Sequence, residues 1–122
     1  MILADTSVWI DHFRSSNLHF SDLLENDRII CQEFVIGELA CGNIKNRKEI
    51  LGLLNNLKSL ETASFEETLY FIDENRLIGK GLGWVDVNLL ASSILNNCVL
   101  WTKDTRLSKA ADKLKVSYKY IQ

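Results

Sequence analysis

Four acids stand beside apolar or glycine-rich stretches of the chain. Asp5 ends the apolar run Ile2-Leu3-Ala4, and Glu38 lies inside Val35-Ile36-Gly37-Glu38-Leu39-Ala40. Asp86 follows the loop-like stretch Gly79-Lys80-Gly81-Leu82-Gly83, and Asp104 follows Cys98-Val99-Leu100-Trp101. Three of them also have a purely structural reading. Asp5 and Asp104 suit helix N-caps, and Asp86 near a helix N-terminus is favoured by the macrodipole. Glu38 resists one, because burying a lone carboxylate among apolar neighbours is costly unless it is paired or metal-bound. If the four meet, they repel one another, and a divalent cation makes the assembly favourable. Hard oxygen ligands without His or Cys select Mg²⁺ or Mn²⁺. Such ions suit phosphodiester hydrolysis, because they activate a water and offset the charge that develops on phosphorus. Ser7 and Thr102 are placed to hydrogen-bond the carboxylates, or to act as a helix cap and a strand-end hydroxyl. No side chain reads as a covalent nucleophile paired to a histidine.

The elements that must position these acids follow from periodicity. Residues 2–5 and 29–31 read as short buried strands, and Cys98 to Trp101 as a central parallel strand. Ser7 is expected to cap a helix through about Phe13. Further helices are expected around Phe20 to Asn26, over 33–42, at Ile50-Leu53-Leu54-Leu57, from Phe65 to Arg76, from about Val85 to Asn96, and around Leu107 to Leu114. Residues 60–63 read as an edge strand, and Val116, Tyr118 and Tyr120 alternate as a last one. Strands alternating with helices predict a parallel α/β sandwich. In such a sheet all strand carboxyl ends share one edge, where ligands bind; Asp5, Glu38 and Asp104 follow strands there, and Asp86 opens the helix after the glycine loop, which the sheet is expected to bring to the same edge.

Composition sets the class. The 122 residues make one domain, with 47% apolar residues and no apolar run long enough to span a bilayer. No signal-peptide pattern is present, since Asp5 interrupts the first apolar run, so a cytoplasmic protein is expected. Cys31, Cys41 and Cys98 form no C-x-x-C pair and read as buried free thiols, not a zinc site. The net charge of −2 argues against nucleic acid, but its distribution does not. From residue 101 onward six cations face only Asp104 and Asp112. Lys80, Lys103, Arg106 and Lys109, with Lys45 and Arg47, are candidate RNA phosphate contacts. The alternative for the basic stretch is a solvated helix face.

The stretches Met1-Ile2-Leu3-Ala4-Asp5-Thr6-Ser7-Val8-Trp9-Ile10-Asp11, Gly37-Glu38-Leu39-Ala40, Val85-Asp86-Val87-Asn88-Leu89-Leu90-Ala91-Ser92 and Trp101-Thr102-Lys103-Asp104 resemble, in order, the four motifs of PIN-domain ribonucleases. More narrowly they resemble the VapC-type toxins of toxin–antitoxin modules. The resemblance implies a three-layer α/β/α Rossmann-like domain spanning 1–122, with a mainly parallel sheet of four to five strands in the order 3-2-1-4-5. It implies a Mg²⁺- or Mn²⁺-dependent endoribonuclease that cuts tRNA or rRNA, forms a homodimer and is blocked by a VapB-type antitoxin. It assigns metal binding and catalysis to Asp5, Glu38, Asp86 and Asp104, with Thr102 the hydroxyl beside the last acid. Glu33 departs from the pattern, standing where many relatives carry proline.

Two other classes compete. A Mg²⁺-dependent phosphohydrolase with Asp5 as nucleophile normally wants a second acid two residues on, where this chain has Ser7. A non-catalytic nucleic-acid- or protein-binding domain would keep the fold without needing all four acids. A dinucleotide-binding loop is weaker still, because the glycines at 79, 81 and 83 follow a helical stretch and lack the G-x-G-x-x-G spacing.

Overall fold

The structure is a computed structural model and describes residues 1–120. Its centre is β1 (Ile2–Ala4), flanked by β2 (Ile29–Ile30) and β3 (Val99–Trp101). Both neighbours run parallel to β1, with Leu3 opposite Ile30 on one side and Leu100 on the other. The order is β2-β1-β3. Alternate residues of β1 point to opposite faces, yet Ile2, Leu3 and Ala4 are all at most 3% exposed. Both faces of the sheet are therefore covered, which is why this strand reads as an unbroken apolar run.

Parallel neighbours need crossovers. The first crossover carries α1 (Thr6–Ser15) and α2 (Leu18–Glu25). The second carries α3 (Glu33–Cys41), α4 (Arg47–Asn55), α5 (Phe65–Glu74) and α6 (Trp84–Leu95) from β2 past β1 to β3, and α7 (Thr105–Lys113) follows. The chain first steps outward, from β1 to β2 and then through α3 and α4 to a parallel bridge of Ser59 with Cys31, before α5 and α6 carry it back past β1 to β3. With right-handed connections α1 to α4 fall on one face, where α1 packs on α3, and α5 and α6 on the other, giving the α/β/α layering. Phe20, fully buried, meets Trp9 edge-on with ring centroids 4.8 Å apart, which locks α1 and α2 together. Among the described residues no helix is long and apolar enough to cross a membrane.

Four to five strands were expected, and the described residues form three regular ones. The two outer segments survive as single parallel bridges, Ser59 with Cys31 and Ser117 with Leu100. With these included, the lateral order is the expected 3-2-1-4-5. The expected edge strand over 60–63 is cut short because the Asn96 amide captures Glu61, accepting from its N–H at 3.3 Å and donating to its carbonyl at 2.9 Å. At the other edge Tyr118 N–H donates to the Leu100 carbonyl, but Tyr120 leaves the ladder and stacks on His19 at 3.7 Å.

Two local expectations also change. The N-cap of α1 is Asp5 and not Ser7, which lies inside the first turn. Cys31 and Cys98 are buried, but Cys41, at the carboxyl end of α3, is exposed. Glu33 is the first residue of α3 and is exposed. That position tolerates proline, whose missing N–H has no helical partner there, and equally favours an acid through the macrodipole.

Candidate active site

Asp5 is delivered by β1 and fixed by the turn that follows. Its Oδ1 accepts from the backbone N–H of Ser7 (2.9 Å) and of Val8 (3.4 Å) and from the Ser7 hydroxyl. Its Oδ2 accepts from the Thr102 hydroxyl, which sits one residue past β3 and 97 residues away in the chain. The parallel register of β1 with β3, Ala4 opposite Trp101, makes this possible. Thr102 Oγ1 in turn accepts from Asp104 N–H (3.0 Å), and Ser7 Oγ accepts from Lys103 N–H (2.9 Å). The segment after β3 is thus tied to Asp5 through two hydroxyls. Both serve the carboxylate, as their types suggested.

Asp5 is only 6% exposed. Burial pushes its carboxyl above the usual value of 3.8, opposed by the bonds from Ser7, Thr102 and Val8. A carboxylate in that position gains from a nearby positive charge, and the protein supplies none: among the described residues the salt bridges are Lys103 with Asp11 (3.1 Å) and Lys119 with Asp112. Neither involves Asp5, Glu38, Asp86 or Asp104.

Glu38 departs from expectation. It is exposed, so its location on an apolar helix costs no buried charge. The neighbours Val35 and Leu39 take the buried face of α3, and Glu38 falls on the other. Its Oε1 accepts from the Thr6 hydroxyl at 2.6 Å. Thr6, although next to Asp5 in the chain, therefore supports Glu38. Only tertiary packing of α1 against α3 creates this pair, and no local pattern announces it.

Asp86 and Asp104 both play the structural part considered for them. Asp86 Oδ2 accepts from Gly83 N–H (2.9 Å), and Asp104 Oδ1 from Leu107 N–H (2.9 Å), so each caps its helix. Capping uses one carboxylate oxygen. The second oxygen of Glu38, Asp86 and Asp104 has no hydrogen-bond partner among the described residues.

The structure thus joins Asp5, Ser7, Thr102 and the Asp104 backbone into one network and Glu38 to Thr6, while Asp86 hangs from its own loop. No three His, Cys, Asp or Glu side chains converge closely enough to hold an ion among the described residues. Like charges without a counter-charge repel, and the caps hold three of the acids in place against closer approach. The donor chemistry nevertheless suits an oxygen-ligated divalent cation: carboxylates only, free oxygens on three, and no ion pair to any of the four among the described residues.

The cations separate into groups. Lys80, Arg106 and Lys109 line one cavity of about 320 Å³ with Arg76 and Lys113. Arg76 had no sequence signal, since it lies two residues past the end of α5, far from α7 in the chain. Lys103 points to Asp11, not to that cavity. Arg47 donates twice to the Ala40 carbonyl (3.0 and 2.7 Å), capping the end of α3. Lys45 lines a separate cavity of about 690 Å³ that also contains Glu38, Arg14 and Phe13.

Comparison with known proteins bears on family and fold. Residues 2–113 match the family model described as the PIN domain. Two proteins named ribonuclease VapC32, from Mycobacterium tuberculosis strains CDC 1551 / Oshkosh and ATCC 25618 / H37Rv, are each 45% identical over 111 residues, covering 90% of this chain and 90% of theirs. The crystal structure of PAE2754 from Pyrobaculum aerophilum shares the fold, with a TM-score of 0.62 at 18% identity over 93% of this chain and 85% of that one. The chain therefore belongs to the PIN-domain family, among its VapC-type members.

Proposed function

We propose that this chain is the toxin of a toxin–antitoxin pair, an endoribonuclease that depends on Mg²⁺ or Mn²⁺. The observation that carries the proposal is Asp5: a carboxylate 6% exposed, held by Ser7 and Thr102, with no cation partner among the described residues. Two relatives at 45% identity named as ribonucleases support the reaction class.

Asp5, Glu38, Asp86 and Asp104 would hold the cation. When bound, it supplies electrostatic activation of water and neutralises charge on the phosphodiester. The chain's own part is positional. Ser7 and Thr102 donate to Asp5 and fix its orientation, Thr6 does so for Glu38, and the Gly83 and Leu107 amides hold Asp86 and Asp104. Preset ligands lose little entropy on binding.

The partners belong to the same proposal. The substrate is tRNA or rRNA. A VapB-type antitoxin blocks the acids, and the cavity beside Glu38, with apolar Ile10, Phe13 and Ile50 and cationic Arg14 and Lys45, is a surface that such a segment can fill. A homodimer is supported by the apolar cavity between α1, α2 and α4, beside which Leu53 is 61% exposed. The cytoplasm is the compartment where the RNA is found.

The phosphohydrolase reading gains no support. A nucleophilic Asp5 wants a second acid two residues on, and that position holds Ser7, whose hydroxyl donates to Asp5 instead. The deciding experiment measures cleavage of purified tRNA and rRNA with added Mg²⁺, with Mn²⁺ and with chelator, for the parent and for Asp5→Asn. Cleavage that persists in chelator, or in the Asn variant, sinks the proposal.

A further inference from the structure

The helix α7 carries two faces. Leu107 and Ala111 are buried in the core, while Arg106, Lys109 and Lys113 recur at spacings of three and four on the exposed side. Across from them, Arg76 at the end of the α5 region and Lys80 of the glycine loop close a cavity of about 320 Å³ over Leu77 and Ala110. Five cations thus line one small cavity with no acid among its walls. None of the five has a carboxylate within salt-bridge distance among the described residues. Like charges gathered without counter-charge repel, so the arrangement favours an anion between them.

The cavity is built around a specific contact. Arg106 lies across Gly81, where an added Cβ would sit 2.8 Å from its Cδ and 3.0 Å from its Nε. Gly81 also has φ of +76°, so the loop needs glycine there for its backbone as well. The same loop ends at Gly83, which holds Asp86. Arg106 lies two residues beyond Asp104, the cap of α7. The cationic cavity is therefore tied by short covalent links to two of the four acids.

We infer that this cavity is a phosphate-binding subsite for the RNA backbone on one side of the scissile bond, so that the enzyme grips flanking nucleotides independently of the acids. The inference rests on the ribonuclease reading above and adds where the substrate is held. Its consequence is length dependence: an RNA that reaches the cavity gains affinity, and a dinucleotide cannot.

The test separates the two readings. Binding of a long fluorescent oligoribonucleotide is measured against salt in the Asp5→Asn background, which blocks turnover. Adding Lys109→Ala and Lys113→Ala is expected to weaken binding about tenfold or more at low salt. The log–log salt slope should become shallower by about 1 to 2, at roughly 0.7 per phosphate contact on a single strand. Lys58→Ala, an exposed cation elsewhere, should leave the slope alone. Gly81→Ala keeps every charge but displaces Arg106, and it should also weaken binding, which a mere net-charge effect would not produce. With Asp5 intact, Lys109→Ala/Lys113→Ala should cut a dinucleotide as fast as the parent and long RNA more slowly. An unchanged salt slope overturns the subsite. So does loss of oligoglutamate peptide binding with RNA binding intact, which assigns the cavity to a protein partner. If Asp5→Asn still cleaves RNA, the reading of the acids fails, while the binding arm, repeated with an oligodeoxyribonucleotide that a ribonuclease does not cut, still reports on the cavity.

Discussion

Asp5→Asn removes one charge and almost nothing else, which makes it the sharpest separation of chemistry from structure. The amide oxygen can keep the acceptor role of Oδ1 toward Ser7 and Val8. Asn and Asp cap helices about equally well. The difficulty is Oδ2, replaced by an NH₂ that now faces the Thr102 hydroxyl. That hydroxyl has a second lone pair free beside the one serving Asp104 N–H, so it can turn and accept. Its own proton then loses a partner, a cost of about 1–3 kcal/mol. Removal of a buried, unpaired charge works in the opposite direction. The net change in unfolding free energy should stay within about 1 kcal/mol. Asp5→Ala has no such compensation: it loses the cap, about 1 kcal/mol, and strands the Ser7 and Thr102 hydroxyls, about 1–3 kcal/mol more. Cleavage should behave otherwise. Mutating partners that merely orient metal ligands costs about 10–100-fold, so loss of a direct ligand should cost at least about 100-fold, equivalent to about 2.7 kcal/mol. Urea unfolding and Mg²⁺-dependent RNA cleavage, measured on parent, Asn and Ala proteins, check both numbers. An Asn variant within tenfold of parental cleavage refutes the catalytic role. An Asn variant as unstable as the Ala variant refutes the account of what holds Asp5.

Other consequences are smaller but equally direct. Thr6→Val removes the hydroxyl that donates to Glu38 and should lower cleavage about 10–100-fold, with circular dichroism and urea midpoint near those of the parent; parental activity would show that Glu38 needs no tether. Burial lowers the His12 imidazole below 6.5, and its Nδ1 accepts from Asn17 N–H, which only the neutral ring can do. Its contribution to stability is therefore full above pH 6.5 and lost as pH falls through the lowered value; comparing pH-dependent unfolding of the parent with His12→Gln, which cannot titrate, should show this loss in the parent alone. Among the thiols, Cys41 is exposed, whereas burial pushes Cys31 up to about 11 and raises Cys98 as well. Iodoacetamide under native conditions should add one label, at Cys41, and peptide mass mapping that finds Cys31 labelled equally fast would contradict the packing around β2.

The legible parts of this protein are those governed by near neighbours. Ile2-Leu3-Ala4 reads as a strand because a parallel strand buried on both faces cannot carry polar residues. The helices announce themselves through recurrence every three to four residues, and the glycine loop through its composition. Outer strands were harder to read. Ser59 and Ser117 each pair at a single point, since a side-chain amide from Asn96 and a ring stack with His19 draw the chain away from the sheet. Both diversions come from residues more than 30 positions distant.

Within the candidate site the same division holds. The identities of Asp5, Glu38, Asp86 and Asp104, and the capping duties of Asp5 and Asp104, follow from sequence, because caps are local bonds to the next turn. Their mutual relations do not. The pairing of Thr102 with Asp5 depends on the register of β1 against β3, and that of Thr6 with Glu38 on how α1 meets α3. Glu38 illustrates the limit most clearly: apolar neighbours in the chain suggest burial, yet a helix turns every residue by about 100 degrees, and the fold decides which face meets solvent. The cationic cavity is likewise a product of tertiary structure. Sequence supplied a basic stripe on α7, but only the packed chain sets Arg76 and Lys80 opposite it and lays Arg106 over Gly81. Sequence determined which groups are present and how each element begins, through short-range bonds and periodicity. Tertiary structure decided which of those groups face one another, because that depends on contacts between segments distant in the chain.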